Sequence, residues 1–256
     1  MLGWLFPPSC PCDLQAKAWV EERLQWLSEE FDDNVFNGRP IVLPTPEFFP
    51  DAYDGSETAV QMLLDRVCEY MDAVPDLVEL KFKANAGKLG WVDENGVALG
   101  DTMGTFEEGR RQYRITVDTY SLDDPMALVG TMAHELAHVR LLGEGRCSRE
   151  EYDNELLTDL TTVHFGMGIF LANAATMWEG NFRKKWPGTN LRKPEYMSLP
   201  MYAHALAHLA WFCGEEAPAW AKYLRSNARS EFKQAVRYLF KTGASAYRPA
   251  KFRRRS

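Results

Sequence analysis

The sequence predicts an α+β fold: a small, mostly antiparallel sheet in the first half of the chain, followed by a helical C-terminal lobe. Three observations carry this. Residues 77–84, LVELKFKA, and 111–118, RQYRITVD, alternate apolar and polar side chains with the period of a half-buried strand. Between them, GWVDENGVALG sets Asn95-Gly96 between two short apolar runs, a strong hairpin signal. From Asp123 onward the pattern reads as helical almost to the end.

The elements follow in order. Asp13 stands as the N-cap of a helix running to about Phe31, with Leu24, Leu27 and Phe31 on one stripe. The connector RPIVLPTPEFFPDAYDGS carries too many prolines for a helix. Ser56 caps a second helix to about Met71, with Val60, Leu63, Leu64 and Val67 inward and Pro75 closing it. Three or four strands follow. Asp123 or Asp124 caps the next helix, and Pro125 suits its first position. That helix runs to about Leu142, where Gly143 stops it. Further helices are expected at about 150–177, 199–213, 216–226 and 228–241. The organisation is thus N-terminal helices and small sheet at 1–122, a central helix pair at 123–178, a helical C-terminal lobe at 179–243 and a basic tail at 244–256.

With 256 residues, 46% of them hydrophobic and 25% charged, the chain can bury a sizeable core. Its apolar runs fall well short of the roughly 20 residues of a membrane helix, so no membrane span is expected. The start, MLGWLFPPSC, lacks a basic region and its apolar run stops at Pro7-Pro8, which argues against a secretory signal. Five scattered cysteines suit a reducing compartment, and a cytoplasmic location is expected. Cys10-Pro11-Cys12 is the one close pair; it could hold a soft metal, but without further nearby ligands it reads as ordinary free thiols. The net charge of −7 is uneven. Residues 222–256 hold eleven Lys/Arg and one acid, Glu231, leaving +10 there and −17 on the rest. The tail reads as solvated surface, with an acidic or nucleic-acid partner as the functional alternative.

Chemistry concentrates at His134-Glu135-Leu136-Ala137-His138. On a helix, residues four apart lie about 40° from each other on the wheel, so His134 and His138 project from one face and can hold one ion. Glu135, about 100° away, is badly placed as a ligand but flanks the ion, as a base for a metal-bound water should. A catalytic zinc needs a third protein ligand and an open position. Glu144 and His164 are candidates; Glu155, in DNELLTDL on the following helix, ranks first, with Asp159 four residues later on the same face. Thr162 and Gly166 extend that face with small residues.

HELAH followed by Asn154-Glu155-x-x-x-Asp159 resembles the gluzincin branch of the zincin metallopeptidases, with its thermolysin-like HExxH and NExxxD motifs. The resemblance covers roughly residues 111–166. It implies one zinc per chain on His134, His138 and Glu155, Glu135 as catalytic base, and Asp159 orienting a histidine ligand. It also implies that strand 111–118 lines a cleft and pairs with an extended peptide or protein substrate.

A second pair, His204 and His208 in HALAH, has Ala205 where the first has Glu135. It sits in an Ala-rich apolar helix and has three readings: hydrogen-bonded core residues, a catalytic role donating to an oxyanion across the cleft, or a further metal site. The leading function is a zinc-dependent hydrolase, a metallopeptidase in kind. The alternative is a non-catalytic, metal-stabilised interaction protein working through its helical C-terminal lobe and basic tail.

Overall fold

Asp13 begins the first described helix as its place before an apolar stripe requires. Its side chain accepts the Ala16 N–H at 2.8 Å and opens α1, Leu14–Glu30. In the computed structural model the described residues are 8–32, 34–83, 106–107, 110–111, 113–119, 122–148, 150–175 and 196–249. They divide into two compact units, one drawn from residues 1–43 and 148–256, the other from 44–147. Within the first unit α1 packs on the helices of the C-terminal half and so joins the chain's start to its end.

In the first unit, Val20, Leu24 and Leu27 of α1 are buried. After α1, Asn34 makes a tight corner. Its side chain accepts the N–H groups of Phe36 and Asn37 and donates to the Phe31 carbonyl, seeding a 3₁₀ turn at Val35–Asn37. The expected helix at 150–177 is two helices. The second helix of this unit, Asn154–His164, ends where Gly166 takes a φ of +93°, and residues 168–175 form the next. Gly166 thus terminates a helix instead of extending the Glu155–Thr162 face. A Cβ there would stand 2.5 Å from the Pro40 carbonyl oxygen, and the Gly166 carbonyl accepts the Val42 N–H at 3.0 Å. Leu199–Cys213 is helical and buried nearly all round, as a helix apolar on every face must be. It packs on Ser226–Thr242, whose buried stripe is Ala228, Phe232, Ala235, Val236 and Leu239. Between them, the expected helix at 216–226 is a 3₁₀ turn at Ala219–Tyr223.

In the second unit, Ser56 caps α2, Glu57–Met71, through the Ala59 N–H. Strand β1, Val78–Lys83, pairs with β4, Tyr113–Asp118; the short β2, Phe106–Glu107, pairs with β3, Arg110–Arg111. The β1–β4 pairing is parallel, from Val78 opposite Tyr113 to Lys83 opposite Asp118. This corrects the mostly antiparallel sheet expected from sequence; among the described residues only the two-residue β2–β3 ladder is antiparallel. Alternation marks a strand and its buried face but carries no direction, and the segment between Lys83 and Tyr113 exceeds the dozen or so residues a parallel crossover needs. The expected hairpin at Asn95-Gly96 lies outside the described residues. On β4, Ile115 and Val117 are buried, and Arg114 pairs with Glu79 at 2.9 Å. Then Asp124 accepts the Ala127 N–H and α3 runs over Pro125–His138. The fold is mixed helix and strand, mostly helical. Among the described residues no helix is long and apolar enough to cross a membrane.

The helices after α3 are α4 (Asn154–His164), α5 (168–175), α6 (Leu199–Cys213) and α7 (Ser226–Thr242).

Candidate functional site

α3 carries the HELAH sequence in its last turn. His134 and His138 lie on one face, their ring centroids 4.9 Å apart and their planes at 85°. His134 is buried, while Glu135 and His138 are half-buried. The helix does not end cleanly at His138; it widens into a π-helical turn over Val139–Gly143. Such a turn inserts a residue into the helical register and is found disproportionately at functional sites. Two features hold it. Gly143 lies so close to Tyr113 that a Cβ would meet the phenol oxygen at 2.5 Å. Arg140, 8% exposed, donates to the Met71 and Asp72 carbonyls at the end of α2 and pairs with Glu144 at 2.7 Å. Glu144, one of the sequence candidates for a third ligand, is thereby engaged with Arg140 and with Arg146.

Glu155 is the second residue of α4, half-buried in its first turn, where a carboxylate suits the positive end of the helix dipole. The start of this helix is anchored by Asp153, 1% exposed, which accepts from Trp19 Nε1 at 2.7 Å and from Arg23 Nε and Nη2 at 2.8 and 2.9 Å. Asp159, one turn beyond Glu155 and also 1% exposed, accepts the Met197 N–H at 2.8 Å. Burial and the nearby Asp159 charge push the Tyr202 phenol well above its ordinary range. His164, the remaining third-ligand candidate, is buried among the rings of Phe31, Phe36 and Phe165. The structure therefore places His134, Glu135 and His138 together on one helix of the second unit, and Glu155 and Asp159 together on one helix of the first.

HALAH is a separate cluster, contained in the first unit. His204 and His208 are both fully buried, with ring centroids 4.6 Å apart. Sequence reasoning missed their partner, Glu21 of α1, which is 2% exposed. Its one available signal was a carboxylate directly beside the buried Val20–Leu24–Leu27 stripe. His204 Nε2 donates to Glu21 Oε1 at 3.0 Å, and the same carboxylate takes Lys17 Nζ at 2.8 Å and the Ala246 N–H at 2.9 Å. His208 Nδ1 donates to the His204 carbonyl at 2.9 Å, which leaves Nε2 to accept from Ser245 Oγ at 2.8 Å. Burial raises the Glu21 pKa, but the bonds from His204, the Ala246 N–H and Lys17 outweigh it and hold the group below its usual range. Burial lowers the His208 pKa, whereas Cys10 and Glu21 raise that of His204 against the pull of its own burial. Glu21, His204 and His208 each offer a ligand atom within 4.8 Å of the others. The Glu21 charge, however, is already matched by the Lys17 ammonium.

Compared with known proteins, the chain matches no family model, no curated protein and no solved structure.

Proposed function

We propose that the protein is a zinc-dependent hydrolase acting on peptide or protein substrates, with His134, His138 and Glu155 holding the ion and Glu135 serving as the base. The observation that carries this reading is the pair of imidazoles on one face of α3, 4.9 Å apart, with a carboxylate on the intervening residue. Two neutral imidazoles and a carboxylate suit a zinc ion chemically, and three protein ligands leave a position open for chemistry. Bound there, zinc would supply Lewis acidity, polarising a carbonyl and acidifying a water.

The chain's own residues do the rest. Glu135 takes a proton from the attacking water and returns it to the departing amine, a role that needs a carboxylate beside the ion and outside its ligand set. Asp153, fixed by Trp19 and Arg23, secures the first turn of α4 and with it the Glu155 backbone. The π-helical turn, pinned by Arg140, sets the direction in which the chain leaves His138. Asp159 supports the ligand set by orienting an imidazole.

The test is Glu135→Gln assayed on a quenched-fluorescence peptide library. The variant keeps its zinc and loses turnover. Cleavage at the wild-type rate by a metal-loaded Glu135→Gln protein removes this mechanism.

A further inference from the structure

The HALAH cluster connects to the Cys-Pro-Cys segment in a way that gives both a role. Cys10 Sγ lies 3.7 Å from His204 Nδ1, on the opposite side of the ring from the Glu21 contact. A carboxylate only accepts, so Glu21 fixes the proton of neutral His204 on Nε2 and turns the Nδ1 lone pair toward the cysteine. Thiol, imidazole and carboxylate thus stand in a row, the arrangement of a nucleophile, its base and the group that orients the base. All three belong to the first unit. Their exposures are graded: Glu21 and His204 are buried, while Cys10 is half-buried.

We propose that Cys10, His204 and Glu21 form a nucleophilic thiol site whose substrate is the sulfur–sulfur bond of a small disulfide. His204 Nδ1 accepts the Cys10 thiol proton, and the Cys10 sulfur forms a bond to one sulfur of the disulfide. The disulfide's own S–S bond breaks, and the departing thiolate takes the proton from His204. One disulfide is consumed, one mixed disulfide forms on Cys10, and one free thiol leaves, so the substrate is the only oxidant required. Glu21 is a positioning residue that acts through His204.

The electrostatics agree with the geometry. A hydrogen bond from Cys12 and the facing His204 outweigh burial and lower the Cys10 pKa, while Cys12, beside that charge and more deeply buried, is driven up. Lys17 completes the charge balance across thiolate, imidazolium, carboxylate and ammonium. Cys10 and His204 stand 194 positions apart, so no local sequence pattern links them.

The experiment treats the reduced full-length protein with dithiodipyridine at pH 5.5 and follows each cysteine by peptide mass spectrometry. Cys147 and Cys213, also half-buried, serve as internal references. An ordinary thiol is about one part in a thousand thiolate at that pH, while the lower basicity of an activated thiolate costs it roughly a hundredfold in intrinsic reactivity. Cys10 should therefore react about tenfold faster than the references. In His204→Gln and Glu21→Gln its rate at pH 5.5 should drop about tenfold and recover near pH 9. A Cys10 rate in the wild type no greater than that of Cys147 and Cys213 overturns the proposal, and this comparison requires no variant. A pH profile of Cys10 unchanged in folded Glu21→Gln also overturns it.

Discussion

Gly166→Ala is the substitution whose cost the structure fixes most closely. The residue ends α4 at a φ of +93°, outside the range an L side chain adopts readily, which costs about 1–2 kcal/mol. The new Cβ would also lie 2.5 Å from the Pro40 carbonyl oxygen, a backbone atom that cannot rotate away. Pro40 is tied to the same corner by the bond from Val42 N–H to the Gly166 carbonyl at 3.0 Å. Moving it adds about 1–3 kcal/mol of overpacking. The stiffer unfolded chain returns about 0.4–1 kcal/mol, so the net loss is about 3 kcal/mol. Gly243→Ala is the matched control, because φ there is +59° and nothing lies within 4 Å of the added Cβ. It should cost about 0.5–1 kcal/mol. Urea unfolding followed by far-UV circular dichroism reads the difference. With a slope of about 2 kcal/mol per molar urea, Gly166→Ala should lower the midpoint by about 1.5 M and Gly243→Ala by less than about 0.5 M. Equal midpoints for the two variants would refute the account of this corner.

Two further variants probe the buried charges. Glu21→Gln should cost about 3 kcal/mol near neutral pH, because it leaves Lys17 and His204 facing a neutral amide in the core. The folded Glu21 pKa is depressed, so its contribution is complete above its ordinary 4.5 and is lost as pH falls. His204 is raised, so its contribution is complete below its ordinary 6.5 and is lost as pH climbs through the folded value. The stability gap between wild type and Glu21→Gln is therefore widest between these limits, as urea unfolding at pH 3.5, 5.5 and 8 should register. Asp153→Ala strips Trp19 Nε1 and Arg23 of their shared acceptor. Because the Arg23 side chain retains 19% exposure, the expected loss is about 2–3 kcal/mol, measured as a lowered thermal midpoint.

Helix starts were the most legible part of the fold. Asp13, Ser56 and Asp124 each accept a backbone N–H from the first turn they were expected to cap, since capping depends on a few adjacent residues. Strand positions were legible for a similar reason: the alternation at 77–84 and 111–118 is local. Strand direction was not, because β1 and β4 are parallel across a long connection that no local pattern describes. The break at Phe165–Gly166 was hidden because its cause is the Pro40 carbonyl, over a hundred residues upstream. The shared face of His134 and His138 followed from helical spacing alone. The surroundings of HALAH did not: Glu21, Cys10 and Ser245 reach His204 and His208 from segments distant in sequence. The placement of α1 with the C-terminal helices brings those segments together.

The central claim is that HELAH, and not HALAH, holds a zinc ion. Its most direct test is elemental analysis of the purified protein with the two histidine pairs replaced separately. The account predicts about one zinc per chain in the wild type, loss of that zinc in the His134→Ala, His138→Ala protein, and its retention in a folded His204→Ala, His208→Ala protein. A wild-type chain that binds no zinc, or zinc lost only with the second pair, would contradict it.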